Sequence, residues 1–366
     1  MGDCSGKRDA RQVGVVRVAI VGGGVMGCAT ALALTERGVE VVVLERAVPG
    51  AEASSAAAGI LGAQAELHGR EDDAALFVQA RDGWPSWAAR LKEASGVDVG
   101  WRRSGVLRVA TSEGERAELA REVAWQAARG LRAELLEPTR AREVEPQLAE
   151  TVLAAAHFPD DAQVDPPALL RAMMAAIALD PRATIRAGST VVRLLVEADR
   201  CVGVVLDDGE VRAEATVLAA GSWSSLVPGV PASVPAVRPV RGQMVLLDER
   251  PPRVRTIVFG AGGYIVPRGD GRVLCGSTME HVGFRREVTA GGVHAILAGA
   301  LACVPSLASA QLAGTWSNFR PHAEKGALVG AASLAGRFLA TGHHRNGILL
   351  AKTTADAVTA AILSTG

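Results

Sequence analysis

Residues Val18 to Gly27 read VAIVGGGVMG, and residues Val39 to Arg46 read VEVVVLER. An apolar strand runs into Gly22, Gly24 and Gly27 at G-x-G-x-x-G spacing, an amphipathic segment follows, and a second apolar strand ends on Glu45. Each part has a physical role. Gly22 permits the tight turn off the strand, Gly24 leaves room for a pyrophosphate against the backbone, and Gly27 lets the helix pack closely on the sheet. The helix start offers free N–H groups and a positive dipole end to the phosphates. Glu45 follows about twenty residues on, where a carboxylate accepts hydrogen bonds from a ribose. The pattern predicts a dinucleotide-binding β-α-β unit and by itself does not separate FAD from NAD.

At 366 residues the chain is long enough for two domains, each with a core of its own. Basic and acidic residues balance at 39 each, so no strong field calls for nucleic acid or an anionic membrane. Lysine occurs only at Lys7, Lys92, Lys325 and Lys352; beside the abundant alanine, this skew toward arginine reads as genome composition and makes any single arginine a weak signal. Cys4, Cys28, Cys201, Cys275 and Cys303 are odd in number and lack C-x-x-C spacing, which fits neither a disulfide framework nor a zinc site and points to a reducing cytoplasm. Residues 1–14 are polar and lack the apolar centre of a secretion signal, so a loose tail is expected. No apolar run reaches the roughly 18 residues of a membrane span. ALLRAMMAAIAL, residues 168–179, is short and carries Arg171.

After the first β-α-β unit comes AEASSAAAGILG, residues 51–62, whose small side chains let backbone pass against a flat ring system while Ser54 and Ser55 offer hydroxyls. A helix is expected over 73–94, a strand pair in WRRSGVLRVAT at 101–111, and a charged helix over 112–129. Another helix follows Pro166 to Leu179, then three strands, the last ending in AAGSWS at 219–224. Alternating strands from Val237 to Ser277 predict an antiparallel sheet with a Gly-Asp-Gly hairpin turn. A helix near 293–301 precedes WSNFRPHAEKGALVG, and the chain closes with a strand, the glycine-bounded loop GHHRNG and a helix. The fold class is therefore α/β: a discontinuous Rossmann-like nucleotide-binding domain, residues 1–85, 152–225 and 322–366, plus an α+β substrate domain with an antiparallel sheet, residues 86–151 and 226–321.

GGGVMG, Glu45, SSAAAGILGAQAE, AAGSWS, GYIVPR, GSTM, FRP and GHHRNGILLA occur here in one order and spacing. In this the chain resembles the FAD-dependent amine oxidoreductases related to D-amino acid oxidase, and within them the thiamine-pathway glycine oxidases, from Val15 to Ile362. The resemblance implies non-covalent FAD, a small amino acid substrate, O2 as acceptor, hydrogen peroxide as product and a homo-oligomer, with a homotetramer the specific guess. It places the cofactor contacts at Gly22, Gly24, Val25, Met26, Gly27, Glu45, Arg46, Ala53, Ser54, Ala58, Gly59, Ile60 and Val191, and along the loop His343, His344, Arg345, Asn346, Gly347, Ile348 and Leu349. For that loop the residues add a reason of their own: Gly342 and Gly347 bracket a turn before a helix, and such N–H groups suit the electron-rich edge of a reduced flavin.

The same resemblance gives Arg320, Arg345, Tyr264 and Met279 as substrate residues. A guanidinium pairs bidentately with a carboxylate as lysine cannot, which favours Arg320 for the substrate carboxylate. Tyr264, the chain's one tyrosine, adds a phenol, Met279 walls a small pocket, and Arg345 acts through its backbone more than its charge. No catalytic acid or base is expected: the amine binds neutral and its α-hydrogen passes as hydride to flavin N5, which orientation and desolvation assist. His343 and His344 are adjacent and diverging with no third ligand nearby, so no metal is expected. Asn318 departs from the family pattern, which has a small residue at this place before R-P, and it leaves the substrate open. The alternative is a D-amino acid or imino acid dehydrogenase passing electrons to a quinone or partner subunit.

Overall fold

The computed structural model describes residues 16–67, 71–229 and 234–365; the expected tail over 1–14 and Cys4 lie outside them. The opening unit is β1 (Val16–Val21), α1 (Val25–Thr35) and β2 (Val41–Glu45). There follow α2 (Ala53–Ala56), β3 (Ile60–Leu61), α3 (Ala74–Ser95), β4 (Val106–Ala110), α4 (Glu113–Ala127), β5 (Glu134–Leu136), α5 (Pro138–Val144) and β6 (Ala154–Phe158). The middle of the chain holds β7 (Ala162–Gln163), α6 (Pro166–Leu179), β8 (Ala183–Ala187), β9 (Val191–Glu197), β10 (Arg200–Leu206) and β11 (Gly209–Leu218). Then come β12 (Val237–Asp248), β13 (Ile257–Gly260), β14 (Gly263–Pro267), β15 (Arg272–Gly276) and α7 (Ala290–Cys303). The chain ends with β16 (Gln311–Ala323), β17 (Leu328–Ala331), β18 (Arg337–Thr341) and α8 (Ala351–Leu363).

Two sheets carry the architecture. The first runs β17-β18-β11-β1-β2-β8, parallel from β18 to β8, with the β9–β10 hairpin attached to β11. The near-continuous apolar runs of β1 and β2 follow from burial on both faces. Val18 and Ile20 point into a core shared with α1, α3, α6 and α8, whereas Ala19 and Val21 point into a second core under the hairpin. Period-two alternation thus divides one strand between two cores.

The second sheet has the order β16-β12-β15-β14-β13-β4-β6-β5. One face is covered by α7 and by Ala141 of α5, and the other turns Met244, Val266 and Leu274 toward Ala58 and Ala65 of the loop beyond α2. The long pairing of β12 with β16, from Val237↔Ala323 to Asp248↔Gln311, sets the register of this inner face.

Several boundaries differ from those read in the sequence. WRRSGVLRVAT forms one strand, β4, because Arg102 turns instead to β7, its N–H donating to the Gln163 carbonyl at 2.9 Å. The second sheet contains a parallel pair, β13 with β4, since β4 enters from an earlier stretch of chain. A boundary after residue 85 falls inside α3, where Trp87 and Leu91 still belong to the first core. Likewise β6, beyond residue 152, hydrogen-bonds to β4 and β5 in the second sheet. Among the described residues no helix is long and apolar enough to cross a membrane.

Candidate active site

A cleft between the two sheets runs from the start of α1, past Glu45, along the 53–60 segment, to Arg320 and the 343–348 loop. Its first wall is backbone. Gly22 has φ +108°, a conformation that L side chains rarely adopt. A Cβ on Gly27 would lie 1.9 Å from the Gly22 carbonyl oxygen, so helix and turn touch directly and Gly27 stands behind the wall that Gly22, Gly24, Val25 and Met26 form. Gly24 is the N-cap of α1 and supplies no side-chain cap, and no acid occupies the first turn. The positive end of the helix is therefore left for an anion. Ser54 Oγ accepts the Val25 N–H at 3.0 Å, which leaves its own proton to donate to a phosphate.

Glu45 is 9% exposed at the end of β2. Its Oε2 accepts the Gly23 N–H at 2.9 Å and its Oε1 the Ala47 N–H at 3.0 Å, which fix the carboxylate while each oxygen keeps a lone pair for a ribose hydroxyl. Val191 opens β9 beside it, together with Ser189 and Thr190. Arg46 pairs with Glu52 at 2.9 Å and lies over the Trp223 ring at 4.1 Å. This stack closes the cleft above AAGSWS, a role that the sequence did not display.

Ala53, Ser54, Ala58, Gly59 and Ile60 line the middle of the cleft. Two donors from the second sheet set the course of this segment: Trp316 Nε1 donates to the Ala56 carbonyl at 3.1 Å and Arg268 Nη2 to the Ala58 carbonyl at 2.6 Å. Arg268 is buried, and burial pushes its guanidinium down to about 10. Opposite, His343, His344, Arg345, Gly347 and Ile348 form the wall, whereas Asn346 and Leu349 are buried behind it. The Leu349 carbonyl accepts from Trp84 Nε1 at 3.0 Å. His343 is bonded through Nε2 to Thr354 Oγ1 at 2.9 Å, and burial pushes it down to about 4, so the ring is neutral at pH 7. His344 turns instead toward His322, ring centroids 4.9 Å apart, and its N–H donates to the Pro321 carbonyl at 2.8 Å. That bond ties the loop to the strand carrying Arg320.

The last wall is a face of the second sheet, assembled across four strands. Register places Asn318 opposite Gly242, Trp316 opposite Met244, Met244 opposite Gly276 and Gly276 opposite Tyr264. Arg320 lies two residues beyond Asn318 on β16 and so shares this face. Its guanidinium folds back over Gly242, where a Cβ would lie 2.2 Å from Nη1. Nη1 donates to the Thr278 carbonyl at 3.1 Å and Nη2 to Ser277 Oγ. Both partners are neutral. Among the described residues Arg320 has no ion-pair partner, so a cation faces the cleft with its charge unmatched. The segment holding it is itself anchored: Glu280 takes both Arg241 Nε at 2.9 Å and Nη2 at 3.0 Å, which holds its carboxyl down at about 2.

Tyr264 lies on the same face with its hydroxyl 3.4 Å from Met244 Sδ, a weak acceptor that leaves the phenol available. Arg345 stands at the rim and pairs with Glu66 at 3.2 Å, which raises its pKa. Met279 is not in the wall. It is 53% exposed, and Met244 of β12 lines the pocket instead. Gly242, Met244, Ser277 and Thr278 escaped the reading of the sequence, since nothing in their local pattern shows which strands become neighbours.

The model of the FAD dependent oxidoreductase (DAO) family matches residues 17–361. The chain belongs to this family. A protein named glycine oxidase from Geobacillus kaustophilus is 37% identical over 343 residues, 92% of this chain and 90% of that one. The bifunctional protein ThiO/ThiG of Trichormus variabilis is 36% identical over 92% of this chain, which spans only 51% of that relative's length. The crystal structure of glycine oxidase from Bacillus cereus superposes with a TM-score of 0.90 at 31% identity, covering 96% of each chain. FAD is the cofactor of this family, and the cleft fits it: the glycine turn, the α1 start with no side-chain cap of its own, Glu45 and the small-residue segment lie in sequence along one channel.

Proposed function

We propose that the protein oxidises glycine and other small amines, sarcosine and small D-amino acids among them, with O2 as the final acceptor, giving the imine or, after hydrolysis, the 2-oxo acid and ammonia (methylamine from sarcosine), and reducing O2 to hydrogen peroxide. The observation that carries this reading is Arg320: a planar fork held by neutral acceptors over Gly242, its charge unmatched in the cleft. Such a fork is matched by a carboxylate. Tyr264 supplies a second donor on the same sheet face, and Met244 and Ile60 give the pocket apolar walls. Those walls disfavour the ammonium form of the bound amine, so the substrate is held as a carboxylate with a free nitrogen lone pair. FAD held along the glycine turn, Glu45 and the 53–60 segment would supply the hydride acceptor for the α-hydrogen. The protein contributes orientation and exclusion of water, and the reading routes no proton through His343, whose Nε2 is bonded to Thr354. The names of the relatives support glycine as the substrate and the supply of glycine imine for thiamine thiazole synthesis as its use. We place the protein in the cytoplasm as a homo-oligomer with dissociable FAD, which light scattering and release of flavin on acid precipitation test.

The deciding experiment is anaerobic mixing of the purified yellow protein with glycine, sarcosine, D-alanine and D-proline in turn, followed by air. Bleaching by glycine and recovery of colour with formation of peroxide is the expected result. Bleaching only by bulkier D-amino or imino acids, with slow recovery in air, transfers the protein to the dehydrogenases.

A further inference from the structure

Asn318 stands in the cleft wall two residues before Arg320 and opposite Gly242. It is about nine-tenths buried, with 9% of its surface exposed. Its Oδ1 accepts the Phe319 N–H at 2.8 Å, which fixes the amide orientation and leaves Nδ2 as the group without a backbone role. Among the described residues Nδ2 has no hydrogen-bond partner, yet it is not sealed among core atoms. Two N–H donors on so buried a side chain cost free energy unless something in the cleft accepts them.

Strand order decides what that acceptor is. Tyr264 lies on β14 and Asn318 on β16, with β12 and β15 between them, about 14 Å at about 4.8 Å per strand. The Arg320 guanidinium lies over β12 and is held from the β15 side by Ser277 and Thr278. A carboxylate bound between this fork and Tyr264 therefore sits across the guanidinium from Asn318. The amide faces a different atom of the ligand. Glycine has no oxygen to offer there.

We propose that Asn318 is a specificity-determining residue, donating from Nδ2 to a second oxygen acceptor carried on the side chain or nitrogen substituent of the amine. The proposal rests on the amine oxidase reading above and adds a substrate class to it: small amino acids bearing a hydroxyl or a further carboxylate.

The test compares isosteric pairs on the holoprotein: D-serine with D-2-aminobutyrate, and N-(2-hydroxyethyl)glycine with N-propylglycine, with bleaching by glycine as the reference. The readout is the hydroxyl-to-methyl ratio of kcat/KM in the natural protein divided by that ratio in Asn318→Leu. A fall of about 3- to 10-fold in at least one pair is expected on substitution, the size of one neutral hydrogen bond. An unchanged ratio in both pairs overturns the proposal, and if glycine still bleaches the flavin the oxidase reading stands without it. Equal losses for every substrate, glycine included, also overturn it, because Asn318 would then serve the shared carboxylate. Failure of all five amines to bleach the natural protein sinks the oxidase reading itself. Should Asn318→Leu not fold, Asn318→Gly, which only removes the side chain, gives the same comparison.

Discussion

At the α1 end of the cleft the wall is made of main chain: Gly22 at positive φ, Gly27 in contact with its carbonyl, and a helix start capped by a hydroxyl from Ser54. At the β14–β16 end it is made of side chains lying across a sheet: Arg320, Tyr264 and Met244, with glycines at 242 and 276 making room. The first arrangement recognises features that every dinucleotide shares, phosphate charge and ribose hydroxyls, and backbone donors suffice for that. The second must tell one small amine from another, and there only the identity of a few side chains does the work. Substitutions at the two ends should accordingly fail in different ways, one through flavin content and the other through substrate kinetics.

The largest effect expected is at the backbone end. In Gly27→Ala the new methyl meets the Gly22 oxygen at 1.9 Å, and turn and helix must part by more than an ångström. FAD affinity should fall by at least about 100-fold, and the protein should purify colourless by its 450 nm absorbance. Retention of full flavin would break the claim that this wall depends on main-chain contact. Next comes Arg320→Leu, which removes the one unmatched charge from the carboxylate subsite among the described residues. Loss of such a partner costs about 2–5 kcal/mol, so kcat/KM for glycine should drop by roughly 30- to 5,000-fold, mostly through KM, while flavin content stays normal. An unchanged KM would falsify the assignment of Arg320.

Gly242→Ala sharpens the comparison, since it brings a backbone-type substitution to the side-chain end. The added Cβ would fall 2.2 Å from Arg320 Nη1 and push the guanidinium off its seat between Thr278 and Ser277. A loss of about 10- to 100-fold in kcat/KM is expected, below that of Arg320→Leu. Because the effect acts through Arg320, the double variant should be no worse than Arg320→Leu alone. Additive losses would show that Gly242 matters for some other reason.

How far each end was legible follows from the same division. Gly22, Gly24, Gly27 and Glu45 fall within one β-α-β unit, so their spacing in sequence is nearly their arrangement in space. Arg320 and Tyr264 stood out as residue types in the FRP and GYIVPR motifs, but Gly242 did not, because its role exists only through the pairing of β12 with β16. Met279 is exposed for a related cause: it lies three residues beyond the end of β15, where the strand pattern no longer sets which way a side chain points. The boundaries near 85 and 152 fell within α3 and beside β6, where nothing in composition marks the crossing between sheets. Local chemistry is readable from one segment, whereas neighbours across a sheet are not.

The smallest effect is expected at Arg345, a second arginine in the same cleft. Unlike Arg320 it is matched, pairing with Glu66 at 3.2 Å, and its side chain is 35% exposed. Its charge is largely spent within the protein, and what the cleft receives from this position is the main chain of the 343–348 loop, fixed by the bond from His344 to Pro321. Exposed pairs of this kind contribute about 0.2–1 kcal/mol, so Arg345→Ala should change kcat/KM for glycine by less than about 5-fold and leave the flavin spectrum nearly unaltered. Glu66→Gln offers the complementary view: freeing Arg345 adds a second unmatched cation to the cleft and should tighten the binding of carboxylate inhibitors such as acetate. If Arg345→Ala instead cost as much as Arg320→Leu, the carboxylate would be shared between both arginines, and the sheet face alone would not define the substrate subsite.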